Sequence, residues 1–480
     1  MTNLRVIAHR LMQEAGFVPD LPPAAAAEAQ RMAPWRPAPG DGRRDLRGLL
    51  WSSIDNPESR DLDQIEYAEP LPGGAIRILV GIAEVDALVA AGSAIDQHAA
   101  ANATSVYTGV TIFPMLPDQL SAGLSSLLPG EDRPALVIEF VVAQDGTQQS
   151  SAVYPALVRN HAKLDYESVG AWLEGGALPA SVAAVAGIEQ QLRLQAQATE
   201  RLHELRARAG ALDFETIEAR VVADDGQVVD LRVLHKNRAR YLIESLMIAT
   251  NGVLARLLED GGRPSIQRIV RTPARWPRIV ELAATLGVHL PDAPDPRALA
   301  QFLAQQQRAD PTHFPDLSLA VVKLLGAGEY ALVLPGADHS GHFGLAVSDY
   351  THATAPNRRY ADVIIQRLAK ALLAQSPTPY TADELAALAE HCTERDSAAK
   401  KVERRMRKYA AVALLHGRIG DVFDAIVTGA AAKGTYVRVL KPPVEGRVLR
   451  GEQGMDVGDH VRVRLIGTDS ERGFIDFARA

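Results

Sequence analysis

Residues 54–64 read IDNPESRDLDQ and place Asp55, Asp61 and Asp63 close together, just after the apolar segment LRGLLWSS. Like charges held near one another resist ionising together, so a fold that gathers acids supplies a compensating cation. In extended chain Asp61 and Asp63 face the same way, and Asp55 can reach them across the Asn56-Pro57 turn. Three hard oxygen donors suit magnesium or manganese and not a soft metal. Phosphodiester hydrolysis is the chemistry that most often asks for this set, because two divalent ions can activate the attacking water and stabilise the leaving 3′ oxygen. The same residues also read as a solvated turn, since D-N-P and S-R-D are ordinary turn chemistry.

A second dense stretch is DHSGHFGLAVSDYTHATAPNRRYAD, residues 338–362. His339, His342 and His352 raise a zinc reading, but their spacing is irregular and no glutamate follows the first histidine as in metalloprotease helices. Arg358 and Arg359 stand where a helix should begin. That position favours phosphate through the helix dipole, backbone N–H groups and guanidinium forks; the alternative is a structural arginine pairing the acids. KKVERRMRKY and RTPARWPR add basic tracks that are either solvated faces or contacts for a polyanion.

These residues need elements to position them. With 480 residues, 47% hydrophobic, the chain can build a large core over several domains. A net charge of −7 argues mildly against a protein that coats nucleic acid non-specifically. The single cysteine, Cys392, excludes an internal disulfide and multi-cysteine zinc sites, and a reducing cytoplasm is expected. The N-terminal MTNLRVIAHRLMQEAG lacks the form of a signal peptide, and charges interrupt AIRILVGIAEVDALVAAG, so neither export nor a membrane partner is expected. Residues 1–42 are expected to form a short helical appendage and linker. Residues 43–416 read as an α+β domain of mixed sheet and amphipathic helices. A long helix should follow the Thr381/Glu384 capping box. Residues 417–480 are short strands at the spacing of a five-stranded barrel.

Taken in order, IDNPESRDLDQ, GSAIDQHAAANATSVYTGVTIFPMLPDQLSAGLSSLLPGEDRPAL, RYLIESLMIATN, HFGLAVSDYTHATAPNRRYADVIIQRL and the terminal barrel resemble the RNB family of exoribonucleases. The resemblance implies an RNB-type catalytic domain followed by an OB-fold RNA-binding barrel. It implies a magnesium-dependent enzyme, with manganese as the alternative ion, that hydrolyses RNA from its 3′ end to nucleoside 5′-monophosphates and acts as a monomer. Asp55, Asp61 and Asp63 would hold the metal, Tyr107 would pack against the terminal nucleotide, and Arg358 would stabilise the phosphorane. Glu403 would contact the terminal ribose, Glu244 would lie near the site, and Arg359 and Tyr436 would touch RNA. Further contacts on the barrel would come from Arg438, Arg447 and Arg450, with Phe423 either core or stacking surface. The family's fourth acid is Gln64 here, which offers a metal only a neutral carbonyl. An RNA-binding protein whose turnover is impaired at Gln64 is the rival expectation. Forty-two residues before the catalytic region leave little chain for the paired cold-shock folds of ribonuclease II, so a wider entrance, able to admit structured RNA, is also expected.

Overall fold

The computed structural model describes residues 3–37, 40–215, 218–224, 226–234, 236–337, 341–431, 434–470 and 472–480. The alternating runs fold into a mixed sheet whose main strands are Trp51–Asp55, Gln64–Pro70, Ile76–Ala83, Asp132–Val142 and Gln148–Asp165. The last strand is 18 residues long. Its first part pairs antiparallel with Asp132–Val142, and its end runs parallel to Trp51–Asp55. One strand therefore joins both margins, and the sheet curls upon itself. Because side chains alternate across a strand, Trp51, Ile65, Leu79, Val137 and Val158 pack on one face. Ile54, Ala68, Ile78, Val80, Ile82 and Ile138 pack on the other face in the main core, with residues of the helices.

Helical periodicity becomes the helices Ile188–Ala209 and Arg238–Asp260. The second is long and apolar enough by composition to cross a bilayer, but Leu242, Leu246, Val253 and Leu254 are buried in the main core. A hairpin, Glu218–Asp224 with Gln227–Leu234, interrupts the chain between these helices. Thr381 and Glu384 form the reciprocal capping box of a 34-residue helix, Ala382–Leu415. This closes two of the donors that a helix N-terminus leaves open.

The terminal strands Val422–Ala431, Gly434–Val439, Glu445–Arg450, His460–Asp469 and Phe474–Arg479 close into a five-stranded barrel. Phe423, Val437 and Phe477 share one hydrophobic core with Met406 and Leu415 of the long helix. Ile7 and Leu11 of the N-terminal helix Leu4–Glu14 join that core, as do Val106 and Val110. Phe423 is therefore core, edge-on to Phe477 at 6.3 Å.

Candidate active site

Asp55 ends the strand Trp51–Asp55, and the chain then loops to Gln64, where the neighbouring strand begins. The turn is tied from within and from behind. Ser59 donates to Asp55 Oδ1 at 2.8 Å, and Lys163 Nζ donates to the carbonyls of Pro57 and Ser59 at 2.9 and 2.6 Å. Glu58 pairs with Arg220 of the inserted hairpin. On the far side of the loop, Ser126 Oγ accepts from Leu62 N–H and donates to the Arg60 carbonyl. The acids thus sit on backbone fixed from three distant segments.

The partners arrive through a second convergence. The helix Ala94–Asn102 ends at Ala103, whose φ of +56° is uncommon for a residue with a Cβ and turns the chain sharply. Beyond it, Ser105 N–H donates to the Arg358 carbonyl and Tyr360 N–H to the Ala103 carbonyl, joining the Tyr107 segment to the start of the helix Tyr360–Leu373. Tyr107 is 39% exposed. Its hydroxyl donates to Asp61 Oδ2 at 3.1 Å, and its backbone N–H donates to Glu403 Oε1 of the long helix at 3.0 Å. Asn357 N–H donates to Asp63 Oδ1 at 2.9 Å, and Arg358 Nε lies 3.5 Å from Asp63 Oδ2. The Arg358 side chain remains 44% exposed, so it can face the acids and a substrate together.

Charge in this cluster is unbalanced. Asp63 is 2% exposed, and burial raises its carboxyl to about 7 despite the opposing pull of Arg358. Burial also raises Asp55, against hydrogen bonds from Ser59 and Asn56 and the charge of Arg358. Burial raises Glu403, partly offset by the Tyr107 N–H bond. Among the described residues no three His, Cys, Asp or Glu side chains converge closely enough to chelate an ion in these conformations. The carboxylates are held instead by Ser59, Tyr107, Asn357 and Arg358. The donor set still fits a hard divalent cation, because it is all oxygen and three acids outweigh Arg358, the one guanidinium paired with them among the described residues.

A family profile described as the RNB domain matches residues 43–375. The chain belongs to the RNB family. A second profile, the RNase II-type exonuclease C-terminal S1 domain, matches residues 421–480. The chain is 30% identical to the ribonuclease R of Thermotoga maritima over 91% of its own length and 64% of that relative. It is also 30% identical to the ribonuclease R of Escherichia coli, again over 91% of its length, and spans 57% of that relative. The chain thus spans about three fifths of these curated relatives. The solved structure of Mycoplasma genitalium RNase R in complex with ribose methylated single-stranded RNA shares the fold, with a TM-score of 0.88 and 22% identity. That match covers all of this chain and 78% of the other. RNB-family ribonucleases are generally metal-dependent hydrolases.

Within this RNB fold, Asp55, Asp61, Asp63, Tyr107, Arg358 and Glu403 come together. Two expectations need correction, those for Arg359 and Arg438. Arg359, expected at RNA, turns inward and donates twice to Asp362, at 2.8 and 2.7 Å, because the helix start sends adjacent side chains in different directions. Glu244 lies 3.5 Å from Lys236, which also pairs with Asp213, the acceptor of the Tyr241 hydroxyl. Arg438, expected on the barrel surface, is buried and forks onto Asp316 at 2.8 and 3.2 Å. Tyr436 is exposed and stands opposite the exposed Arg447 in the barrel ladder, a ring beside a cation. The zinc reading finds no support among the described residues. His342 packs edge-on against Tyr350 and accepts from Leu345 N–H, and His352 bonds the Tyr330 hydroxyl; His339 lies outside the described residues. Burial lowers His342 to about 4 and His352 well below its usual range.

Sequence reasoning missed Ser126, Lys163 and Asn357, which hold the loop. Ser126 lies in the SSLLPG stretch and Asn357 in the APNRRYAD stretch that carried the resemblance, whereas Lys163 lies in neither.

Proposed function

We propose that the chain is a magnesium-dependent exoribonuclease that hydrolyses RNA from its 3′ end and releases nucleoside 5′-monophosphates. One observation carries this reading: Arg358, Tyr107 and three aspartates, from segments far apart in sequence, meet at an acid-rich loop in which Asp63 is buried. The RNA bound to the Mycoplasma relative and the ribonuclease R name of the curated relatives support RNA as substrate.

Asp55, Asp61 and Asp63 would hold magnesium, with Gln64 adding a neutral oxygen. When bound, the metal supplies an activated water and stabilises the leaving 3′ oxygen. Arg358 reaches in from the surface and meets the phosphate oxygens as negative charge builds on them, a preorganised electrostatic role. The Tyr107 ring offers a face to the terminal base while its hydroxyl stays on Asp61. Glu403 holds the Tyr107 backbone, so the long helix sets how far the terminal nucleotide advances. Magnesium should release acid-soluble nucleotide from poly(A), EDTA should stop the release, and zinc should not restore it. Binding without release across a magnesium titration would instead support the RNA-binding reading.

A further inference from the structure

The ion pair of Arg358 is loose, so its aim depends on the backbone that carries it. Its Nε lies 3.5 Å from Asp63 Oδ2, and the side chain stays 44% exposed. On one side that backbone is pinned by the Tyr107 segment: the Arg358 carbonyl accepts from Ser105 N–H at 3.0 Å and from Thr104 Oγ1 at 3.2 Å. On the other side stands Asn357, whose backbone N–H holds Asp63 and whose side chain makes a separate contact.

Asn357 is 0% exposed, and Ser125 Oγ donates to its Oδ1 at 2.6 Å. The amide nitrogen has no hydrogen-bond partner among the described residues. A half-satisfied amide in a dry interior stabilises less than an apolar side chain of similar size. Nor does the Ser125 hydroxyl depend on it, since the Leu120 carbonyl lies 2.9 Å from the same oxygen. Stability gives little reason for this pair. Position gives a better one. Ser125 precedes Ser126, whose hydroxyl accepts from Leu62 N–H and donates to the Arg60 carbonyl, on either side of Asp61. Arg133 anchors this segment from behind, donating to the Ser126 and Gly123 carbonyls at 3.1 and 3.2 Å. One anchored dipeptide therefore grips the acid loop with one hydroxyl and the residue before Arg358 with the other.

We propose that Ser125 and Asn357 are a positioning pair for the reaction. They fix the backbone that carries Arg358 against the segment that carries the acid loop, and so aim the guanidinium at the phosphate. This rests on the hydrolytic reading above, and the test separates the two.

The test measures kcat and KM on a short oligo(A) for the wild type, Asn357→Leu, Arg358→Gln and the two changes together. Asn357→Leu keeps the backbone N–H on Asp63 and leaves the Ser125 hydroxyl its Leu120 acceptor, so it removes the side-chain tie alone. It should lower kcat about tenfold with KM within about twofold, because a small misplacement of a catalytic group is felt in the rate. In the Arg358→Gln background the same change should cost less than about twofold, since its effect travels through the guanidinium. An unchanged kcat, a loss confined to KM, or an equal loss in both backgrounds would overturn the proposal, and the last is what a purely structural pair would give. If Asn357→Leu does not fold, Ser125→Ala carries the same cycle: a severalfold loss of kcat that should vanish beside Arg358→Gln, with persistence there overturning the proposal. A wild type that releases no nucleotide would overturn the hydrolytic reading itself.

Discussion

The acid loop and the C-terminal barrel hold charge in opposite ways. In the loop, Asp63 is buried and Asp55 half-buried, and Arg358 is the guanidinium that reaches Asp63. On the barrel, Arg447 and Arg450 stand in solvent, and Arg438, which is buried, is neutralised by Asp316. Charge kept in a low dielectric acts strongly on whatever enters, whereas charge in water attracts a polyanion weakly and at a distance. The loop should therefore govern rate and the barrel affinity.

The largest effect that could break this division is at Asp63. Asp63→Asn should lower turnover by several orders of magnitude while affinity for oligo(A) stays within about tenfold, because transition-state and ground-state contacts are separable. Rate and equilibrium binding measured on one preparation would show whether the two fall together, which the division forbids. Arg358→Gln comes next. It should cost roughly a hundred- to a thousandfold in kcat with little change in KM, as expected for a donor aimed at developing charge. A change confined to KM would reassign Arg358 to binding.

The barrel predicts the converse. Replacing Arg447 and Arg450 by alanine should weaken long single strands and reduce the slope of log affinity against log salt by about 1 per residue, with kcat on a short oligonucleotide unchanged. Deleting residues 421–480 would be a poorer test, because the barrel shares its core with the long helix and the N-terminal helix. The smallest effect is on stability. The folded pKa of Asp63, about 7, lies above its ordinary 3.8, so between these values the native state holds a proton that the unfolded chain has released. Metal-free protein should therefore be most stable at the acid end of that window and lose stability as pH rises through it, levelling off above about 7. Asp63→Asn should flatten the trend and raise the neutral-pH melting point by several degrees in EDTA. Calorimetry across the window would expose a trend of opposite sign.

The same contrast explains what the sequence made legible. Local chemistry was readable: the acid triplet, the Thr381/Glu384 box and the alternating barrel strands each carry their signal within a few residues. Long-range closure was not. Nothing near Asn357 announces that its N–H holds Asp63, 294 positions away. Neither did Arg358 and Arg359, adjacent and identical in type, reveal which faces the acids and which Asp362.

Hydrolysis of RNA in heavy-oxygen water, with the products read by mass spectrometry, tests the central claim most directly. The account predicts nucleoside 5′-monophosphates bearing one heavy oxygen on each released phosphate, formed while a 5′-labelled strand shortens stepwise from its 3′ end. Unlabelled products, 3′-phosphates or early internal fragments would contradict it.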